Sequence, residues 1–451
     1  MRPTNTRRQF LKTATGTTVS VAALKGAPSI LHAENKGEKL RVAFIGVGGI
    51  NKRHVDNVLR MGDTCPCYCD VDANRFKNAA EHWPKAKSYQ DYRVMFEKES
   101  KNFDAVMVGT PDHSHYPATV LSLIHGKHVY TQKPLTHTIW EARQLTEAMG
   151  RYKVATQMGN QGHANEGNRL TYEYINSGML GDIKEVHCYT DRPIWPQNLT
   201  RPDGSDHVPN HLDWDLWIGP SPERAFKKDI YHPFKWRGWW DFGAGALGDM
   251  ACHIMDSAFF ALDPGHPDSV EVIHMDGGVG ESFPNSSTIR WSFPKKGDRT
   301  AFDLYWYDGK DRPARPPELE KNFKMPKFGS LYVGSNASLL VSGNYGESPR
   351  IIPEAKRREL GRPPKILERS PGHHDEWRLA CIGEKPVDYP GSNFKYASPF
   401  TEAILLGNAA LRAGVGQKLE WDGPGLRFKN NEVANRWITK NYRASWDFKL
   451  G

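Results

Sequence analysis

The sequence predicts an α/β protein in which a doubly wound parallel sheet is followed by an α+β domain on a mainly antiparallel, open sheet. Three observations carry this. Between residues 40 and 163 short apolar runs alternate with helix-compatible segments, the rhythm of strand–helix–strand units. The first run, Val42-Ala43-Phe44-Ile45, stops at a glycine cluster, Gly46-Val47-Gly48-Gly49. Beyond residue 183 the pattern changes to extended runs at short spacing, which suits antiparallel strands.

The first 33 residues read as a targeting segment and not as fold. Thr6-Arg7-Arg8-Gln9-Phe10-Leu11-Lys12 is a twin-arginine signature, followed by a weakly apolar stretch from Ala14 to Leu24 and a cut site after Ala33, so export to the periplasm is expected. The segment holds Arg2, Arg7, Arg8, Lys12 and Lys25 and no acid, so without it the formal net charge falls from +8 to +3. So small a charge argues against a nucleic-acid partner. A chain of 451 residues, 38% hydrophobic and 25% charged, fits a globular protein of two domains. Past the N-terminal segment no apolar run is long enough to span a bilayer.

Val42–Ile45 suits a strand buried on both faces. Gly46 and Gly48, with Gly49 and Ile50 completing the loop, allow a tight turn and close backbone approach to a pyrophosphate. Asn51–Arg60 then reads as a helix whose N-terminus faces that phosphate. The third position of G-x-G-x-x-G falls on Asn51, so the match is partial. A second strand, Cys65–Cys69, ends on Asp70, about twenty residues on, where a carboxylate accepts both hydroxyls of an adenosine ribose. That favours NAD, while Arg75 keeps NADP open because a nearby guanidinium grips a 2′-phosphate. Residues 38–163 are therefore expected to form a Rossmann dinucleotide-binding domain. Alternation puts Cys65, Cys67 and Cys69 on one strand face as small apolar residues, with no histidine or CxxC partner at metal-ligand spacing.

The alternation continues through helix Ala73–His82, a short element at Ala86–Tyr89, strand Phe103–Thr110, helix Pro117–His125, strand Lys127–Thr131, helix Ile139–Gly150 and strand Val154–Met158. Loops at the carboxyl ends of such strands line the ligand crevice. Those loops are Pro111-Asp112-His113-Ser114-His115, Gln132-Lys133-Pro134 and Gly159-Asn160-Gln161-Gly162-His163.

The second domain, 164–451, opens with helix Gly167–Ser177 and strand Ile183–Thr190. Ser286–Phe293, Thr300–Trp306 and Ser330–Val341 look extended, and helices fall near His374–Ile382 and Pro399–Ala413. Between the first two of those strands lies an aromatic-rich insertion with Trp195, Trp214, Trp217, Tyr231, Trp236, Trp239 and Trp240. Aromatic faces pack on the C–H faces of sugars, and Arg192, Asn198, Arg237 and Asp241 can read hydroxyls, so a carbohydrate site is expected here.

The chain resembles the Gfo/Idh/MocA family of oxidoreductases. The resemblance rests on Gly46-Val47-Gly48-Gly49, Cys69-Asp70-Val71-Asp72, Thr110-Pro111-Asp112-His113-Ser114-His115, Gln132-Lys133-Pro134, Gly159-Asn160-Gln161 and the run Gly243–His253. The family's Glu-Lys-Pro stands here as Gln132-Lys133-Pro134, and its Asp-x-Gly-x-His as Asp249-Met250-Ala251-Cys252-His253. By this resemblance Lys133, Asp249 and His253 match the family's lysine, aspartate and histidine. Thr110, Pro111, His113, His115, Gln132, Lys133, Asn160 and Gln161 are expected at the cofactor, with capping of the next helix the alternative for His113 and His115, and the open sheet is expected to serve in a homo-oligomer.

Oxidising a secondary alcohol with a nicotinamide requires a base for the hydroxyl proton and a donor for the developing alkoxide. His253 is the expected proton acceptor. Asp249, at i and i+4 with it on a helix, is expected to orient the imidazole, and Lys133 just after a strand end to stabilise the oxyanion. Asp256 continues that helix face, and His163, Arg192, Trp195 and Trp240 are candidates for the substrate wall.

The expected activity is NAD(P)-dependent oxidation or reduction of a secondary hydroxyl on a sugar, sugar derivative or polyol. Free cofactor is scarce outside the cytoplasm, which motivates an alternative. That alternative is a glycosidase-like enzyme using tightly bound NAD in a redox-neutral oxidation–elimination–hydration–reduction cycle, with Tyr189, His211 or Tyr231 as the additional base. A non-catalytic sugar or cofactor sensor on this fold would be expected to lose the lysine or the histidine, and both are present.

Overall fold

The computed structural model describes residues 39–451 apart from positions 279, 449 and 451. The twin-arginine signature and the cut site lie outside the described residues. The first sheet is built from β1 (Val42–Ile45), β2 (Cys67–Cys69), β3 (Lys87–Tyr89), β4 (Ala105–Val108), β5 (His128–Thr131) and β6 (Thr156–Met158). Its order is β3-β2-β1-β4-β5-β6 and every pairing is parallel. The chain leaves β1 in one direction and β4 in the other, so a crevice opens between their carboxyl ends. The crossover helices are α1 (Asn51–Arg60), α2 (Phe76–His82), α3 (Tyr92–Glu99), α4 (His115–Ile124) and α5 (Ile139–Ala148). A capping box on Thr138 and Glu141 starts α5. Asp91 caps α3, a helix the apolar pattern does not announce.

The second sheet follows α6 (Glu166–Asn176) and begins with β7 (Ile183–Tyr189). After the insertion, which holds the short α7 (Trp214–Ile218), come α8 (Gly245–Ile254) and α9 (Asp256–Leu262). The remaining strands are β8 (Ser269–Asp276), β9 (Ser286–Phe293), β10 (Phe302–Tyr307), β11 (Gly329–Gly334), β12 (Ser338–Ser342) and β13 (Ser348–Ile352). After α10 (Glu354–Leu360), α11 (His373–Cys381) and α12 (Phe394–Ala413) the sheet closes with β14 (Leu419–Asp422) and β15 (Arg427–Phe428). The order is β13-β12-β11-β7-β10-β9-β8-β14-β15, antiparallel except where β10 runs parallel to β7. The expected single run Ser330–Val341 is a hairpin, pairing Leu331 with Leu340. Val186, Cys188, Ile289, Trp291, Leu304 and Trp306 share one buried cluster with Leu247, Ala251, Ile254 and Leu406, so α8 and α12 cover one face of this sheet.

The reading of the cysteines is corrected. Only Cys67–Cys69 is strand. Cys67 and Cys69 pack with Tyr92, Met95 and Phe96 on one side of the sheet, whereas Cys65 packs with Val42 and Phe44 on the other. All three thiols are free, and burial pushes Cys67 up to about 12.

Segments well after residue 164 also pack on the first sheet. Trp377, Ala380 and Cys381 of α11 lie in the same cluster as Val42, Phe44 and Val55 of the first sheet. Met158 N–H donates to Ser392 at 2.9 Å, which covers the β6 edge. Asp63, 5% exposed, fixes α11 by accepting Arg378 Nε at 2.8 Å and Nη2 at 3.0 Å beside the Leu40 N–H. Arg378→Ala leaves that buried carboxylate short of partners, so unfolding in urea is expected to lose about 3 kcal/mol of stability. Asp63→Asn combined with Arg378→Ala is expected to recover part of it. An unchanged midpoint for Arg378→Ala would show that α11 is not held this way.

Candidate active site

A cavity of about 540 Å³ runs across the carboxyl ends of β1, β4 and β5 and under the insertion. Its floor is the turn after β1. Gly46 sits at φ +84°, and a Cβ there would meet Gly109 O at 2.8 Å. Gly49, at φ +53°, has open space where a Cβ would stand. Asn51, fully buried in place of the third glycine, donates its amide to Gly46 O and packs on Gly109. The turn spends the N–H of Gly46 on Cys69 O and that of Asn51 on Gly48 O; among the described residues the N–H groups of Gly49 and Ile50 meet no backbone acceptor. Unclaimed N–H groups at the start of a ten-residue helix fit the pyrophosphate of a dinucleotide.

Asp70 closes the same end. Its carboxylate accepts N–H groups from Val47 and Asp72, both at 3.0 Å, and burial pushes it up to about 6. Arg75 donates Nε to Asp72 at 3.1 Å and lays its stem against Gly48. Asp72 also accepts His211 at 2.8 Å and His232 at 3.0 Å, so the insertion is pinned to the loop after β2.

The opposite end holds the reactive groups. Lys133 Nζ donates to Asp249 Oδ1 and to the Asp249 carbonyl, each at 2.7 Å, and Arg237 Nε lies 3.5 Å from the same carboxylate. Burial acts to raise Asp249, but the two cations outweigh it and hold the carboxyl at about 2. His253 is pushed well below the usual imidazole value by burial and by Lys133, so the ring is neutral. Its Nδ1 is buried without a hydrogen-bond partner, and Tyr345 packs edge-on at 4.7 Å.

Of the residues expected from sequence, Gly46, Gly48, Gly49, Ile50, Asp70, Arg75, Thr110, Pro111, His115, Gln132, Lys133, Gln161, Arg192, Asp249 and His253 line this one cavity. Their roles are not all as expected. Asp249 makes no hydrogen bond to His253; it holds Lys133, because a cation in reach wins a buried carboxylate over a neutral ring four residues away. His115 reaches the wall, but its nitrogens face the carbonyls of Pro134 and Thr110 at 2.7 and 2.9 Å.

Six candidates are absent from the wall. His113 is buried between the carbonyls of Phe242 and Trp217, and Asn160 accepts Ser392 Oγ at 2.6 Å. His163 and Asp256 are buried against each other at 3.1 Å, with Tyr396 donating to Asp256 at 2.6 Å. Trp195 donates to Gln197 at 3.0 Å, and Trp240 lines a separate cavity. The tryptophans Trp214, Trp217, Trp236 and Trp239 pack with Tyr231 and Phe242 in a small core of their own, from which Trp217 and Trp236 also reach the wall of the first cavity.

Sequence reasoning missed Asp112, His232 and Tyr345 as site residues. Asp112 lines the cavity, accepts the Ala244 N–H at 2.9 Å and is pushed up to about 7 by burial, against the pull of Arg237 and Lys133. Its place in the loop after β4 was the available signal. Tyr345 comes from the turn between β12 and β13 and had none.

This architecture, with an open dinucleotide turn at one end of the cavity and a lysine–aspartate pair beside a neutral histidine at the other, defines a nicotinamide-type oxidoreductase fold and site. The chain belongs to the Gfo/Idh/MocA oxidoreductase family: residues 40–160 match its NAD-binding Rossmann fold and residues 174–279 its C-terminal alpha/beta domain. It is 26% identical over 184 residues to an inositol 2-dehydrogenase of Burkholderia multivorans, covering 40% of this chain and 54% of that one. It is 26% identical over 204 residues to an alpha-N-acetylgalactosaminidase of Shewanella oneidensis, covering 39% and 44%. The chain thus spans about half the length of the curated relatives it matches. The fold is shared with the WlbA dehydrogenase of Bordetella pertussis, solved with NADH and UDP-GlcNAcA, at TM-score 0.59 and 17% identity over 85% of this chain and 99% of that one.

The Asp112 carboxyl titrates near 7 when folded against 3.8 normally, so the unfolded chain loses its proton first and stability falls as pH rises from about 4 to about 7. Asp112→Asn keeps an acceptor for the Ala244 N–H and never ionises. The unliganded variant is expected to melt above the parent at pH 8, by up to about 4 kcal/mol of stability, and together with it at pH 4. Coincident melting at both pH values would place the Asp112 carboxyl in the ordinary range.

Proposed function

We propose that the chain is an NAD(P)-dependent oxidoreductase acting on a secondary hydroxyl of a sugar, sugar derivative or polyol. The observation that carries this is the meeting of Lys133, Asp249 and His253 in the cavity whose other end is the glycine turn. Bound nicotinamide would supply the acceptor, or the donor, of a hydride at the carbinol carbon. Lys133 has three N–H bonds; two go to Asp249, which leaves the third for the substrate oxygen as it gains charge. His253, neutral and on the cavity wall, accepts the hydroxyl proton, and the Asp249 carboxylate favours the imidazolium that results. Arg192, Trp236 and Arg237 wall the substrate end. The likeness to an inositol dehydrogenase supports a polyhydroxylated ring as substrate.

The likeness to an alpha-N-acetylgalactosaminidase supports a second reading, a glycosidase-like enzyme in which the oxidation is transient and is reversed after the leaving group departs. The additional base is then Asp112, poised near 7 on the wall; Tyr189, His211 and Tyr231 are outside it. Export by the twin-arginine route, which we infer from Thr6–Lys12, fits this reading because the cofactor is never exchanged.

Denaturing the purified mature protein and measuring released nucleotide by mass and absorbance separates the two. Stoichiometric NAD(H), with cleavage of glycosides in the absence of added cofactor, is expected for the second reading. An empty site, with NADH accumulating from added NAD and polyol, is expected for the first. In either case Lys133→Ala and His253→Ala are each expected to lower kcat about 10²- to 10⁴-fold, with the double variant little worse than either. Full activity in both single variants would overturn the assignment.

A further inference from the structure

The second cavity, about 300 Å³, shares no lining residue with the first. That volume is at the lower end for small-molecule sites and suits a ligand of monosaccharide size. It is formed where the loop after the insertion, Trp240-Asp241 and Gly243, meets α12 and the C-terminal segment 436–441.

At its centre is Arg412. The guanidinium lies 4.4 Å from the Trp240 ring and 3.9 Å from that of Trp437, and among the described residues it makes no hydrogen bond or ion pair. Burial lowers it to about 10, against the pull of Asp241 and Glu281. Two indoles hold the plane of the fork but accept none of its N–H groups. Asp241, the acid on the wall, is taken by Arg224 at 2.5 Å instead. Lys440 and Arg436 add positive charge, although Glu141 partly neutralises Lys440 at 3.0 Å. The rest of the wall is mixed, with Ile139, Phe283, Leu405 and Ala409 forming an apolar part and Asn408, Thr439, His137, Thr138, Ser221 and Asn441 the polar points.

We propose that this cavity is a second binding site, and that it takes a small carboxylate of sugar-acid type. The carboxylate lies on the Arg412 fork and the ring lies on the apolar wall. A carboxylate can take two parallel N–H groups of the guanidinium at once while its ring lies on the apolar part of the wall. Trp240 therefore acts here, by holding Arg412, and not in the catalytic cavity.

The test is isothermal titration of the full-length protein with D-glucuronate, with D-glucose and inorganic phosphate as the neutral and non-carboxylate arms. Glucuronate is expected to bind at least tenfold more tightly than either. Arg412→Gln and Arg412→Lys are each expected to weaken it tenfold or more at unchanged melting temperature, since lysine keeps the charge but lacks the fork. Trp437→Ala, at a partly exposed position, is expected to weaken it in the same direction. Binding that survives both Arg412 variants but is lost in His253→Ala would assign the carboxylate to the catalytic cavity and overturn the proposal. So would phosphate binding as tightly as glucuronate, or no glucuronate binding to the folded parent.

Discussion

The contact between Lys133 and Asp249 sets the chemistry of everything around it. Each side chain is largely withdrawn from solvent, and neither charge would be tolerated alone at that depth. The lysine arrives from the end of β5 and the aspartate from α8, so the pair spans the two sheets. Once it forms, the ionisation of its neighbours follows from position. Asp249 stays charged, and the adjacent ammonium helps keep His253 neutral. Asp112, further from both cations and fully enclosed, is left near its midpoint at neutral pH. One ion pair thus separates an aspartate fixed as an anion from an aspartate able to exchange its proton.

The opposite end of the cavity is shaped by backbone, not charge. Gly46 and Gly109 approach so closely that neither tolerates a side chain, and the amide of Asn51 fills what space is left. The usual fingerprint places a small residue there so that helix and strand can touch. Here a buried hydrogen bond from the Asn51 amide to Gly46 O closes the turn on itself, and the same amide packs against Gly109 at the end of β4. The partial match in the motif is therefore a different solution to the same packing problem.

What could be read from the sequence was local. The helix from Asn51 to Arg60 is found at its expected bounds because a glycine turn and an amphipathic pattern fix both ends within a dozen residues. Lys133 and the α8 residues were legible by motif and all reach the cavity. What could not be read depends on contacts distant in sequence. The i, i+4 spacing of Asp249 and His253 says they share a helix face, but not that a lysine 116 residues away will claim the carboxylate. Nothing in Trp377 or Arg378 announces that α11 returns to the first sheet. The tryptophans of the insertion are equally ambiguous, since the composition of a sugar platform is also that of a small core.

That small core has a mechanical consequence. Trp214, Trp217, Tyr231, Trp239 and Phe242 stack on one another, and Arg224 lies over Tyr231, Trp239 and Phe242, so the insertion is a self-supporting wall. It is fastened to the first sheet at the loop after β2, where Ala73 N–H donates to His211 O at 2.8 Å and Asp213 N–H to Val71 O at 2.9 Å. Asp72 adds the side-chain clamp. Burial acts to raise it, and the donors His232 and His211 outweigh that and lower it, so the clamp is intact wherever the carboxyl is ionised and is lost only in acid. Asp70, the first residue of that loop, lines the cavity. The end of the cavity beside the glycine turn is therefore covered by a wall latched to the loop that carries Asp70. At the other end the insertion meets the reactive groups through Arg237, whose Nε lies 3.5 Å from the Asp249 carboxylate. The insertion therefore braces both ends of one cavity, by the clamp on Asp72 and by a cation beside Asp249.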